Sequence, residues 1–203
     1  MNVSLLEPER IPFPDDMRDP FTDEWDDAPQ TKPGGIILVA SPLQLHTARC
    51  LALARKQAHD GKRKPCEDLG EAANERCEFS GLLAELLVLA ALEAAGLNPT
   101  GYVLLSDYGQ PGPDFRIGRT IYDTKSTPFG SCFFNVNEEK RIEMRARGVH
   151  AVLPVVFCAN NAAQVMHPVP IAELERWTLR QGHSPYRGVH VSQLTPLLAW
   201  RAL

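Results

Sequence analysis

Apolar positions in this 203-residue chain fall into short runs whose spacing predicts alternating strands and helices. The run GGIILVA (34–40) is typical of a short strand. Ser41 then predicts the N-cap of a helix that begins at a proline and ends near residue 60. A longer apolar pattern predicts a second helix over about 72–95, with Gly96 at the position where helices often end in a left-handed residue.

The second half of the chain predicts more strands. They are expected at roughly 101–105, 114–117 and 120–126, followed by a helix capped by Asn137, a buried strand at 151–159 and a short helix, IAELERWTLR, after Pro170. The first connections are short enough for antiparallel pairing, while the helix after Asn137 can cross over to a parallel neighbour. We therefore expect an α/β fold with a mixed central sheet flanked by helices and a strand-helix extension before it.

Charge divides the chain into an arm and a domain. Residues 15–27 hold seven acidic residues and one Arg, although the net charge of the whole chain is only −4. We expect 1–33 to be a flexible acidic arm, which serves either as a solubilising tail or as the docking site of a protein partner. Residues 34–203 are expected to form one domain with its core at 72–160. The chain from residue 28 onward is mildly basic, which permits nucleic acid as a partner.

Cysteine usage and hydropathy indicate a compartment. Five cysteines are scattered without any CxxC pair, which favours a reducing, cytoplasmic setting and thiols that belong to the core. The longest apolar run is interrupted by Glu85 and Glu93, so no membrane span is expected.

The stretch PGPDFRIGRTIYDTK (111–125) predicts a β-hairpin with charges in unusual places. Gly118-Arg119 fits a two-residue turn with glycine first. That register places Asp114 opposite Asp123, and side-chain alternation puts Lys125 on the same face. The other face receives the residues that suit a core: Phe115, Ile117, Tyr122 and Thr124.

Two opposed carboxylates repel each other unless a positive charge lies between them. Mg²⁺ supplies that charge and prefers one or two carboxylates together with waters and phosphate. Carboxylates, a divalent ion and the Lys125 amine are the parts of a site for metal-assisted phosphodiester hydrolysis. The alternative is a surface hairpin in which Asp and Lys form an ordinary exposed ion pair.

A carboxylate in the long predicted helix adds to this picture. Glu85 falls among Leu82, Leu89 and Leu92 on the helical wheel, where a charge is costly unless it reaches a partner. A third carboxylate of the metal site is the simplest explanation, and Glu78 is the rival candidate. Glu93, near the helix end, is expected to face solvent.

These residues together resemble the PD-(D/E)XK nuclease superfamily, which has the restriction-endonuclease-like fold. Pro113-Asp114 is similar to its PD element, Asp123-Thr124-Lys125 to its (D/E)xK element, and Glu85 to the acidic residue of the preceding helix. The element order over 79–158 is similar to that family's αβββαβ core, so the resemblance covers about 80 residues of the chain.

The resemblance implies a role for each matched residue. Asp114, Asp123 and the backbone carbonyl of Thr124 would bind Mg²⁺, for which Mn²⁺ is expected to substitute. Glu85 would support the metal directly or through water. Lys125 would orient the attacking water, help to deprotonate it, or stabilise the developing charge.

Further positions are candidates for contacts with the nucleic acid. Ser126 and Thr127 would donate to phosphate, or they are simply strand-end hydroxyls. Lys140 and Arg141 would follow a phosphate backbone, or they belong to a solvated helical face together with Arg145 and Arg147.

The sequence therefore predicts a Mg²⁺-dependent nuclease acting on DNA, in restriction, phage DNA metabolism, recombination or repair. RNA is the less expected substrate, because no aromatic stacking motif is visible. The alternatives are a nuclease-like module that binds nucleic acid without cutting it, and a protein-interaction module. Cutting both strands of a duplex would favour a homodimer.

Overall fold

The structure, a computed structural model, describes residues 32–59, 71–101, 114–127, 130–182 and 184–203. The described strands are β1 (Ile37–Val39), β2 (Phe115–Ile117), β3 (Thr120–Thr127), β4 (Phe133–Asn137), β5 (Ala151–Ala159), β6 (Ala162–Val165), β7 (Val169–Pro170), β8 (Leu179–Arg180) and β9 (Tyr186–His190). The described helices are α1 (Pro42–His59), α2 (Glu71–Ala94), α3 (Glu138–Ala146) and α4 (Ile171–Leu174), with short 3-10 helices at Val191–Gln193 and Trp200–Ala202.

The main sheet is mixed, as predicted. Its strand order is β1-β6-β5-β3-β2, and β7 also pairs with β5. Strands β3 and β5 run parallel, while the other pairs are antiparallel. The chain between the two parallel strands contains β4 and α3, which gives it the length that a crossover requires. The predicted α/β class with flanking helices is confirmed at this level.

Local sequence signals explain the ends of both long helices. The Ser41 hydroxyl accepts a hydrogen bond from Gln44 N at 3.2 Å, and the Gln44 side chain accepts one in return from Ser41 N at 2.9 Å. This reciprocal pair is a capping box. At the far end of α2, Gly96 has a φ of 75° and donates to Glu93, while Leu97 donates to Leu92. The pattern is a Schellman motif, so the predicted stop at Gly96 is confirmed.

Two hydrophobic clusters lie on opposite faces of the main sheet. One joins α1 and α2 to β3 and β5 and includes Leu83, Tyr122 and Leu153. The other lies under α3, α4 and β4 and includes Phe134 and Val152. Successive residues of β5 therefore serve both clusters, which explains why its apolar run is nearly continuous.

The predicted hairpin forms in the predicted register. Phe115 pairs with Tyr122 and Ile117 with Thr120. Gly118 has a φ of 57°, a conformation that a residue with a Cβ adopts only with strain. Since Arg119 has an ordinary φ, the turn fits the predicted type, with glycine at its first central position.

A second, three-stranded sheet was not predicted. Its order is β4-β9-β8, and the pairing of β4 with β9 joins residues more than 40 positions apart. The predicted helix after Pro170 is also too long, because α4 ends at Leu174. Arg187 of β9 explains this, since its Nη1 donates to the carbonyls of Glu175 and Trp177 at 2.8 Å each. A side chain thus satisfies carbonyls near the point where the helix stops.

Other expectations have mixed outcomes. The acidic stretch, Pro113 and nearly all of the strand predicted at 101–105 lie outside the described residues. Thr100 does form an isolated bridge with Arg116. Cys50 and Cys77 are exposed, so the expectation of core thiols is wrong for these two. Among the described residues, no helix is both long and apolar enough to cross a membrane.

Candidate functional site

Strand β3 presents two charged side chains on one face. Asp123 pairs with Val152 of the second cluster, whereas Thr124 pairs with Leu153 of the first, so alternation sends Asp123 and Lys125 toward the same side. Asp123 is only 3% exposed. Its Oδ2 forms an ion pair with Lys125 Nζ but has no aligned hydrogen bond. The buried Asp123 carboxylate is thus paired with the Lys125 ammonium and could still bind a second cation.

Asp114 meets these residues from the neighbouring strand. It directly precedes β2, and the pairing of Phe115 with Tyr122 brings it beside the part of β3 that carries Asp123 and Thr124. Its Oδ2 accepts a hydrogen bond from the backbone N–H of Thr124. Burial raises the pKa of Asp114 well above its usual range, and the nearby charges of Asp123 and Glu85 raise it further. The protein therefore holds this carboxyl at a free-energy cost when it is ionised.

The backbone of Thr124 contributes to the same place. In a strand, the N–H and the C=O of one residue point to the same neighbour, and successive residues alternate. Ile121 O accepts from His150 N on the β5 side, whereas Thr124 N donates to Asp114 on the β2 side. The carbonyl of Thr124 is therefore directed to the same side of β3 as Asp114.

Lys125 carries its charge inside this carboxylate group. Burial alone would lower its pKa, but the Asp123 and Asp114 carboxylates outweigh that effect and raise the pKa above its usual value. Its side chain remains about one third exposed. The site thus contains a protonated amine that is still reachable from solvent.

Glu85 has a partner that the sequence did not identify. It projects from α2, which packs against the Tyr122 face of the sheet, and its side chain is 11% exposed. Arg55 of α1 donates to both of its oxygens, from Nη1 to Oε1 at 3.3 Å and from Nη2 to Oε2 at 3.2 Å. Burial raises the pKa of Glu85, while Arg55 and, more weakly, Lys125 oppose that rise.

The carboxylates are neighbours without forming a closed metal cage. Within the described ranges, no three Asp, Glu, His or Cys side chains lie close enough together to hold a metal ion. Asp114 and Asp123 fit Mg²⁺ by their chemistry, because this ion prefers oxygen ligands and often takes only one or two carboxylates. Glu85 is close enough for its charge to raise the pKa of Asp114, but both of its oxygens bind Arg55.

The predicted nucleic-acid contacts differ in their access to solvent. Ser126 is half-buried, and its Oγ lies 3.4 Å from Ser80 Oγ on α2. Thr127 is only 2% exposed, which suits a strand-end hydroxyl better than a phosphate contact. Lys140 is half-buried and pairs with Glu143 at 3.2 Å.

Arg141 is occupied within the protein. It is 8% exposed and binds Glu138 with two hydrogen bonds and Glu175 with a third. Arg187 also binds Glu138. The hydrogen bonds from Arg141, and to a lesser extent those from Arg187, lower the pKa of Glu138 to about 2. A phosphate would have to displace these carboxylates to reach Arg141. The i,i+3 spacing of Glu138 and Arg141 could have indicated this pair, but no local signal points to Arg187.

Comparison with known proteins identifies no relative. No protein-family model, no curated protein and no solved structure matches this chain. Function must therefore be argued from the site itself.

Proposed function

We propose that this protein is a Mg²⁺-dependent nuclease that hydrolyses DNA phosphodiester bonds. The observation that carries the proposal is the meeting of Asp114, Asp123 and Lys125 around the paired strands β2 and β3. Asp123 and Lys125 lie two residues apart on β3, and the hairpin brings Asp114 from the other strand to the same place. A buried carboxylate opposite a second one, beside a protonated amine, is costly for folding alone and useful for phosphoryl chemistry.

The order of elements supports a restriction-endonuclease-like core. A long helix, an antiparallel hairpin, a helix and a strand parallel to the hairpin's second strand occur in this order as α2, β2, β3, α3 and β5, with β4 of the second sheet between β3 and α3. The bridge between Thr100 and Arg116 lies where the remaining strand of an αβββαβ core would begin to pair with β2.

Each residue at the site has a proposed part in hydrolysis. Asp114, Asp123 and the Thr124 carbonyl would hold Mg²⁺ or Mn²⁺. The ion, when bound, would polarise the phosphate and lower the pKa of a water. Lys125 would orient that water and balance the charge that develops on the phosphate, since its ammonium is held beside both aspartates. Ser126 and Lys140 are proposed to contact neighbouring phosphates.

Cleavage of DNA by site variants tests the proposal. Supercoiled plasmid and linear duplex should be cut in the presence of Mg²⁺ or Mn²⁺ and left intact with EDTA. Asp123→Ala and Lys125→Ala should each lose at least about 100-fold in rate, because each removes a group that acts on the reacting atoms. Glu93→Gln alters an exposed carboxylate of α2 and should cut like the wild type. Equal cutting by both site variants and the wild type would refute the proposal.

One observation favours a second candidate, a module that binds nucleic acid without cutting it. The described residues lack a closed group of three metal-binding side chains. This candidate predicts a gel shift of DNA with no turnover under Mg²⁺, Mn²⁺ or Ca²⁺. It also predicts that Asp123→Ala leaves DNA affinity unchanged or increases it, because it removes a negative charge.

A further inference from the structure

The Arg55 guanidinium lies between two carboxylates of the neighbouring helix. It binds Glu85 at 3.2 and 3.3 Å and approaches Glu78 to 3.8 Å. All three side chains are between 11% and 13% exposed, so these charges are largely removed from water. At this depth a two-point contact between Arg and a carboxylate fixes the orientation of both planar groups.

This contact determines where the Glu85 oxygens can point. Both bind Arg55, so an ion held by Asp114 and Asp123 could take a Glu85 oxygen only in competition with the guanidinium. A carboxylate whose charge reaches the two aspartates is thus bound by a cation on another helix.

We propose that Arg55 is a positioning residue that holds Glu85 out of the coordination sphere of the metal. The guanidinium and a divalent ion then compete for one carboxylate, and Arg55 sets the affinity of the site for the ion. The inference rests on the proposed function, because it requires a metal between Asp114 and Asp123.

Glu78 makes such an exchange feasible. Removing one partner of a buried ion pair is strongly unfavourable when it leaves a charge without compensation. If Glu85 turned toward the ion, Arg55 would still have the Glu78 carboxylate close by. In this exchange Arg55 would keep a carboxylate partner, Glu78 in place of Glu85, so its buried charge would remain paired.

Calorimetric titration with Mn²⁺ tests this inference without any measurement of cleavage. Arg55→Gln should bind Mn²⁺ roughly tenfold more tightly than the wild type, because a freed carboxylate adds one charged ligand. The gain should disappear when Glu85 is also replaced: the double variant Arg55→Gln/Glu85→Gln should bind Mn²⁺ no more tightly than Glu85→Gln alone. Arg49→Gln is the matched control, because Arg49 lies on α1 like Arg55, packs over the Phe79 ring of α2, and loses the same charge on substitution. It should leave the affinity unchanged.

Each other outcome counts against the inference. Unchanged or weaker binding by Arg55→Gln overturns it, and so does a gain that persists in the Glu85→Gln background, which would reflect net charge alone. If Arg55→Gln does not fold, Arg55→Lys, which cannot bind both oxygens in parallel, should still bind Mn²⁺ more tightly than the wild type, and wild-type affinity would overturn the inference. If the wild type binds no Mn²⁺, the metal site and the proposed function fail together with it.

Discussion

Replacing the carboxylate of Asp114 tests whether its charge serves to bind a cation or to stabilise the fold. Asp114→Asn removes its charge but retains an oxygen that can accept the hydrogen bond from Thr124 N. Like charges directly opposed across two strands destabilise a sheet by up to about 1 kcal/mol. In a chain of this size, 1 kcal/mol corresponds to about 2–4 °C in Tm. We expect metal-free Asp114→Asn to unfold at a higher temperature than the wild type at pH 7 by about this amount.

The pH dependence gives the prediction its sign. Burial and neighbouring carboxylates raise the folded-state pKa of Asp114 above its ordinary value near 3.8, and the attraction of Lys125 does not cancel this effect. The wild type therefore loses stability relative to Asp114→Asn as the pH rises through the folded pKa. Toward pH 4 the carboxyl is protonated in the folded state, and the difference between the two proteins should shrink.

Thermal unfolding followed by circular dichroism, in EDTA and then in Mg²⁺, measures these effects. Added Mg²⁺ should stabilise the wild type and leave Asp114→Asn nearly unchanged, because only the folded wild type binds the ion well. Glu93→Gln controls for the removal of an exposed charge. If Asp114→Asn is less stable than the wild type in EDTA at pH 7, the carboxylate is part of a structural network and the reasoning is wrong.

Two further predictions concern the parts of the fold that the sequence did not reveal. Glu138→Gln should cost about 1.5–3 kcal/mol in urea unfolding at pH 7 by weakening charged hydrogen bonds from Arg141 and Arg187. Because the pKa of Glu138 is lowered to about 2, this contribution is present above about pH 4.5 and should fade as the pH falls toward 2; a constant difference would contradict it. Gly188→Ala would place a Cβ 2.0 Å from Asn135 Oδ1 and 3.0 Å from the backbone oxygen of Phe134, which cannot turn away, and should cost about 1–3 kcal/mol. Adding Asn135→Ala should recover part of this loss, and a fully stable Gly188→Ala would show that β4 and β9 pack less closely than described.

Sequence reasoning succeeded where the determining signal is local. The register of β2 and β3 follows from a two-residue turn and a period of two, so the pairing of Phe115 with Tyr122 could be predicted. The caps at Ser41 and Gly96 also depend only on residues within one helical turn.

It failed where the determining contact is distant. A helical wheel shows that Glu85 needs a partner, but it cannot show that Arg55, 30 residues earlier, provides it. The sequence pattern places Arg141 on a helix but cannot show that Glu138 and Glu175 accept its hydrogen bonds. The β4–β9 pairing has the same cause, since neither strand carries a sign of its distant neighbour.

Strand β5 links the two hydrophobic clusters mechanically. Leu153 and Val155 fill one cluster, while Val152 and Val156 fill the other, so one backbone segment is shared by both. Unfolding of either cluster would expose one face of β5 to solvent and weaken the other cluster, which favours a single cooperative folding unit. Strand β4 of the three-stranded sheet packs in the second cluster with Val152 and Val156 of β5. A defect in that sheet would therefore loosen β5 and, through it, the paired strand β3 that carries Asp123 and Lys125.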